Sequence, residues 1–221
     1  MSADLQGCIL AAADAIDASR DELGRLDAVA GDGDHGLTMA LGARAVRRAI
    51  EANPGVPPAD LLAKVAMAMG SIGGAIGPIY ATALLKTAGA VRASDTWDGV
   101  VNVARLRACA DAAVAAVAAL GHAKPGDKTI LDAMAPVAEA LRTSEAEGAS
   151  LDLALVRVRD AARAGAEATA AMIASVGRAA RLGEQSRGSA DAGATSFALI
   201  VAAAVNAYLE GDRDALGGGA A

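Results

Sequence analysis

Along most of the chain, apolar residues recur three and four positions apart, and no convincing run alternates or gathers β-branched and aromatic residues between turns. That period places the apolar residues on one side of a helix. It predicts eight helices, at about 3–23, 35–52, 58–72, 76–91, 97–120, 128–146, 150–176 and 193–210. The breaks carry helix-stopping chemistry. Asn53-Pro54-Gly55 with Pro57-Pro58 is a strong stop, and Gly73-Gly74 and Gly77-Pro78 interrupt the third apolar stretch. Ser94 or Asp95 can cap the fifth helix, and Asp127, closing the turn Lys124-Pro125-Gly126-Asp127, can cap a helix beginning near Lys128. Glu145 to Ser150 separates two more helices, and Gly183 to Gly193 is the longest polar stretch without a period. Short connections favour antiparallel neighbours. No linker divides residues 1–221, so one all-α domain is expected.

Composition narrows the packing. Apolar residues make up 54% of the chain but aromatic ones only 2%, and a core of Ala, Val, Leu and Met fills space only where helices come close together. A closed barrel or bundle of eight helices suits this, because many helices would then bury two faces; another eight-helix packing fits the pattern too. Val65 to Leu85 is uncharged for 21 residues, but Gly70, Gly73, Gly74, Gly77 and Pro78 interrupt it. Ala192 to Leu209 is uncharged for 18 residues and holds Thr195, Ser196 and Asn206. Both are expected to be buried helices of a cytoplasmic protein rather than membrane spans. The N-terminus lacks the basic start and long apolar run of a signal peptide. A net charge of −6 argues against a nucleic-acid surface. Cys8 and Cys109 are isolated in apolar surroundings and form neither a disulfide framework nor a zinc pattern.

Candidate chemistry concentrates in Leu26-Asp27-Ala28-Val29-Ala30-Gly31-Asp32-Gly33-Asp34-His35-Gly36-Leu37-Thr38-Met39. Three carboxylates in one tight turn repel one another unless a cation bridges them, and oxygen ligands select magnesium, calcium or manganese. Ala28 to Gly36 lacks the alternating ligands and closing glutamate of an EF-hand. Gly31 to Gly36 also matches GxGxxG, but no strand precedes it and two aspartates inside it would repel a bare pyrophosphate. A helix starting near His35 adds free amides and a positive helix end. Carboxylates, cations and amides together make a metal-diphosphate cradle; a solvated acidic turn capping a helix is the plainer alternative. His35 is read as a cap or a phosphate contact in preference to a fourth metal ligand.

Three further segments have double readings. Ser71-Ile72-Gly73-Gly74-Ala75-Ile76-Gly77-Pro78 offers free amides to phosphate or ribose, or lets helices cross closely. Gly121-His122-Ala123-Lys124-Pro125-Gly126-Asp127-Lys128-Thr129 resembles a phosphate-binding loop, but the extra Asp127 before the lysine breaks that geometry. It serves as a helix-capping turn or a lip over a base. Gly177 to Ser196 carries Arg178, Arg181 and Arg187 in an acidic protein, to bind phosphate oxygens or to face solvent.

Taken in order, these segments resemble the L-subunit family of dihydroxyacetone kinases. The carrying motifs are GDGDHGLxM at Gly31–Met39, GGxxGPxY at Gly73–Tyr80, PGDKTxLD at Pro125–Asp132, and GRAxxLGExSxGxxDxGATS at Gly177–Ser196. The resemblance implies an eight-helix barrel with the nucleotide held by loops at one end. It implies that Asp27, Asp32 and Asp34 bind two magnesium ions, and that His35, Gly36, Leu37, Thr38, Gly74, Ala75, Ile76, Gly121, Ile130, Arg178, Asp191, Ala192 and Gly193 surround ADP or ATP. Arg178 would carry the catalytic role, offsetting charge on the transferred phosphoryl group. The acceptor, a short ketose, would sit on a separate K-type subunit, and a phosphotransferase-system protein is the possible donor where ADP is a fixed cofactor. A related four-carbon sugar kinase, or a non-catalytic nucleotide-loaded regulator of a transcription factor or kinase subunit, are the alternatives. The sequence departs from the family at Ile76, where serine is common, at Arg181, where tyrosine is common, and at Ala192, where proline is usual.

Overall fold

The structure is a computed structural model that describes residues 5–93 and 101–217, with side chains described up to residue 211. Its helices are α1 (Leu5–Ala18), α2 (Arg20–Ala30), α3 (His35–Glu51), α4 (Pro58–Gly70), α5 (Ile76–Ala93), α6 (Val103–Gly121), α7 (Leu131–Ala146), α8 (Leu151–Ala168) and α9 (Ala192–Gly217). Two 3-10 segments, Thr169–Ala171 and Ala179–Ser186, lie between α8 and α9. No strand occurs among the described residues.

The expected first helix is two. Ser19 bends the chain, and Asp21 and Glu22 occupy the first turn of α2, where carboxylates favour a helix start. The Ser19 amide still reaches the Ala15 and Ile16 carbonyls, and the Leu23 amide reaches Ser19. Backbone bonding is so little interrupted that the apolar period runs on through the bend. Continuation of α2 to Ala30 puts Asp27 on its last turn instead of in a loop.

The helix expected from residue 128 begins at Leu131, and Asp127 does not cap it. The Asp127 carboxylate accepts the Lys124 amide at 2.8 Å and the Ser175 hydroxyl at 2.6 Å. Asp132 reaches back instead, accepting the Thr129 amide at 2.7 Å and the Gly126 amide at 2.5 Å. Thr129-x-x-Asp132 therefore has the spacing and the backward bond of a capping box. The helix expected over 150–176 stops at Ala168. The caps expected at Ser94 or Asp95 lie outside the described residues; α6 begins at Val103, with the Asn102 side chain accepting the Arg105 amide at 2.9 Å.

Helix contacts follow the chain, α1 to α3, α3 to α4 and onward to α8 and α9, and α9 also packs on α1. Helix α2 lies against α3 and touches α9 and the second 3-10 segment. The interior is built from small residues: Ala66, Ala88, Ala133, Ala154, Ala162 and Ala194 are fully buried. Close crossing is literal at Gly165, where a Cβ would lie 2.3 Å from the Asp132 carbonyl oxygen of α7. With few large rings to fill it, the interior keeps two apolar cavities of about 180 and 210 Å³, both lined by Tyr80, Leu84 and Ile200. Ala192–Gly211 of α9 is the one span among the described residues long and apolar enough to cross a membrane. It packs on α1 and α8.

Candidate functional site

Helices α3, α5, α7 and α9 start at residues lining one cavity of about 330 Å³: His35, Ile76, Leu131 and Ala192. Gly121, the last residue of α6, lines it too. Alternate helices thus begin at the same end, as an antiparallel series requires. Four positive helix ends meet around one space, an arrangement that favours an anion, although local groups already hold several of the first amides, among them those of His35, Leu131 and Ala194.

Beside these amides lie three carboxylates. Asp27, Asp32 and Asp34 each offer one oxygen within 4.8 Å of the others. Asp27 comes from the end of α2, and Asp34 from the position just before α3. The α2 helix closes with the Gly31 amide on the Asp27 carbonyl at 2.6 Å, and a Cβ at Gly31 would come within 2.3 Å of an Asp27 carboxylate oxygen. The other Asp27 oxygen accepts the His35 amide at 3.3 Å. The Arg178 guanidinium donates to Asp32 and lies 4.0 Å from Asp34. Arg178 holds the Asp32 carboxyl below its usual range. Asp34 is pushed up, first by loss of solvent and then by its neighbour Asp32. Crowded oxygens with one arginine against them fit a hard divalent cation in both ligand type and spacing.

The His35 ring is buried, and Nε2 lies 3.0 Å from the Ser196 hydroxyl, itself 3.2 Å from the Tyr80 hydroxyl. Burial lowers the imidazole pKa against the opposing pull of Asp27, which favours the neutral ring. These bonds join the starts of α3, α5 and α9. Asp191 accepts the Ala194 amide at 2.7 Å, and burial raises its carboxyl to about 6.

Of the residues assigned from sequence, Asp27, Asp34, His35, Thr38, Gly74, Ala75, Ile76, Gly121, Ile130, Arg178, Asp191, Ala192 and Gly193 line the cavity. Asp32 sits beside it in the carboxylate cluster. Gly36 and Leu37 do not line it. Gly36 is packed against the backbone of α2, and Leu37 is 54% exposed. Arg181 is exposed in the second 3-10 segment and does not line the cavity either. Sequence reasoning missed Ser196 and Tyr80 as partners of His35, and Asp132 as the carboxylate that shapes the Gly126–Thr129 turn. The capping-box spacing was the available signal for Asp132. Nothing local signals a bond between positions as far apart as 35 and 196.

Residues 29–206 match the DAK2 domain. The chain belongs to the DAK2-domain family. It is 42% identical over 186 residues to L-erythrulose 1-kinase of Mycolicibacterium smegmatis, covering 82% of this chain and 31% of that protein. It is 36% identical over 189 residues to the ADP-binding subunit DhaL of PEP-dependent dihydroxyacetone kinase 2 of Listeria innocua, covering 84% of this chain and 85% of that one. The chain thus spans about a third of the erythrulose kinases it resembles and most of the DhaL subunit. The crystal structure of the dihydroxyacetone kinase of C. freundii shares its fold, with a TM-score of 0.70 at 24% identity over 91% of this chain and 34% of that one. The DAK2 match takes in all four sequence motifs.

Proposed function

We propose that this chain is the nucleotide-binding subunit of a dihydroxyacetone-type kinase, holding ADP or ATP through magnesium and transferring a phosphoryl group to a short ketose on a separate K-type subunit. One observation carries the reading: a cluster of three converging carboxylates, two of them lining the cavity and Asp32 beside it, adjoins the amino ends of four helices. Either feature alone describes many surfaces. Together they suit a metal-bound polyphosphate, whose charge needs both signs of partner. The Listeria innocua relative is described as ADP-binding, and the C. freundii kinase has been crystallised with AMP-PNP and Mg2+.

In this reading Asp27, Asp32 and Asp34 hold two magnesium ions. Bound there, magnesium would neutralise the phosphates and help align the terminal group. Thr38, Gly74, Ala75 and Ile76 form one wall around the nucleotide, and Gly121, Ile130, Asp191, Ala192 and Gly193 the other. Arg178 moves from Asp32 to the transferred phosphoryl group, where its charge counts most. His35 orders the start of α3 through Ser196, Gly36 seats that helix on α2, and Leu37 faces outward beside the site. The circuit of helix contacts from α1 round to α9 supports a closed barrel holding these loops at one end.

The acceptor is chosen on the partner. Two relatives at 42% and 41% identity are erythrulose kinases, which favours a four-carbon ketose beside dihydroxyacetone. The phosphoryl donor is exchangeable ATP or, where ADP is a fixed cofactor, a phosphotransferase-system protein. Calorimetric titration with ADP tests the site: binding requires magnesium, and Asp32→Asn weakens it at least tenfold while the protein stays folded. Equal affinity with and without magnesium, or in the variant, defeats the assignment.

A further inference from the structure

Lys128 lies one residue beyond the position a phosphate-binding loop gives its lysine, and the fold commits its ammonium elsewhere. It is buried, and its backbone sits in the left-handed region at φ 59°, an unfavourable conformation for a residue with a Cβ. Nζ donates to three main-chain carbonyls: Thr169 at 2.8 Å, Met172 at 3.3 Å and Ser189 at 2.6 Å. An ammonium has three N–H groups, and each has a backbone acceptor. Thr169 directly follows α8, Met172 directly follows the first 3-10 segment, and Ser189 stands three residues before α9. The lysine therefore gathers both ends of the 173–188 stretch, the loop that carries Arg178. The same knot includes the Gly188 amide on the Ala170 carbonyl at 2.8 Å and the Asp191 amide on the Thr169 hydroxyl at 2.8 Å. The turn around Lys128 is itself anchored by Asp127 to Ser175 and by Asp132 to Gly126 and Thr129.

We propose that Lys128 is a positioning residue whose ammonium pins the two ends of the Arg178 loop, setting where Arg178 and Asp191 stand against the nucleotide. This rests on the nucleotide reading above. Three carbonyl dipoles offset the buried charge only while all three remain in place, so loss of the ammonium frees the loop from both neighbouring helix ends together. A buried lysine that merely fills space would leave Arg178 energetically independent of it. A pin makes the two residues behave as one unit.

The test is a double-mutant cycle by calorimetry with ADP and excess magnesium, at a temperature where circular dichroism shows every variant folded. Lys128→Met and Arg178→Ala are each expected to lower ADP affinity about tenfold, and the double variant to bind within about twofold of Lys128→Met alone. Thr38→Val, on the opposite wall, is expected to remain additive with Lys128→Met. Full additivity of Lys128→Met with Arg178→Ala overturns the proposal. Hydrogen exchange on the nucleotide-free protein separates this from the nucleotide reading: amides of residues 173–190 exchange faster in Lys128→Met while those of α3 and α5 do not change. If wild-type protein binds no ADP, the nucleotide reading falls and the exchange pattern alone decides the pin. Unchanged exchange overturns it. Lys128→Gln replaces the methionine variant should that one not fold; if neither folds, Lys128 is a residue of folding and the proposal is wrong.

Discussion

Replacing Gly36 with alanine sets a methyl group 1.9 Å from the Arg20 carbonyl oxygen, 2.8 Å from the Gly24 nitrogen and 3.0 Å from the Arg20 carbonyl carbon. Ordinary contact begins at 3.4 Å, so α2 must retreat by roughly 1.5 Å if it moves as a rigid body. All three obstructing atoms are backbone, and no flexible side chain can yield in their place. Overpacking of this kind costs about 3 kcal/mol. For a chain of this length that lowers Tm by roughly 6–12 °C. The displacement has a functional consequence, because Asp27 rides on α2 while Asp34 stands at the start of α3. Retreat of α2 opens the cluster in which the three carboxylate oxygens lie within 4.8 Å of one another. Thermal melts followed by circular dichroism measure the first effect, and Mn2+ titration of the nucleotide-free protein the second. Gly73→Ala is the control: nothing lies within 4 Å of a Cβ there, and its Tm should stay within about 2 °C of wild type. A Gly36→Ala protein that melts with wild type and keeps its metal affinity would refute the claim that this crossing holds Asp27 in place.

Two further outcomes test the charges at the site. Burial raises the Asp191 carboxyl to about 6, so the folded state holds that proton more tightly than the unfolded chain; the associated stability is complete below about pH 4 and is lost as pH rises through about 6. Asp191→Asn keeps a side-chain acceptor for the Ala194 amide, and its Tm relative to wild type should climb between pH 5 and 7.5; a constant difference across that range contradicts the buried carboxyl. Arg178 stands against Asp32 as a cation would, so Arg178→Gln is expected to raise Mn2+ affinity without nucleotide roughly two- to fivefold, a modest gain because the ion pair is exposed, while lowering ADP affinity in magnesium. A fall in bare-metal affinity would show that the arginine supports the metal site instead of competing for it.

Much of this was legible in residue order. The three-and-four spacing of apolar residues marks helices because it is the period of the backbone itself. Asn53 to Pro58 and Gly73 to Pro78 mark breaks because glycine and proline act on their own dihedral angles. The Asp27–Asp34 cluster was visible because its members are close in sequence and repel one another without a cation. The bend at Ser19 was hidden because hydrogen bonds run through it, and the start of α7 was misplaced because Asp127 and Asp132 compete for neighbouring amides.

What residue order determined by itself was the helical content, most of the breaks and the crowding of carboxylates at one turn, all consequences of interactions within a few residues. The tertiary structure alone decided that His35 meets Ser196, that Lys128 turns inward to the ends of α8 and α9, that Gly36 seats α3 on α2, and that Arg178 reaches Asp32. Those partners stand far apart along the chain or on separate helices. They meet only because packed helices bring distant loops to one end, where buried polar groups must find whatever donors and acceptors the packing supplies.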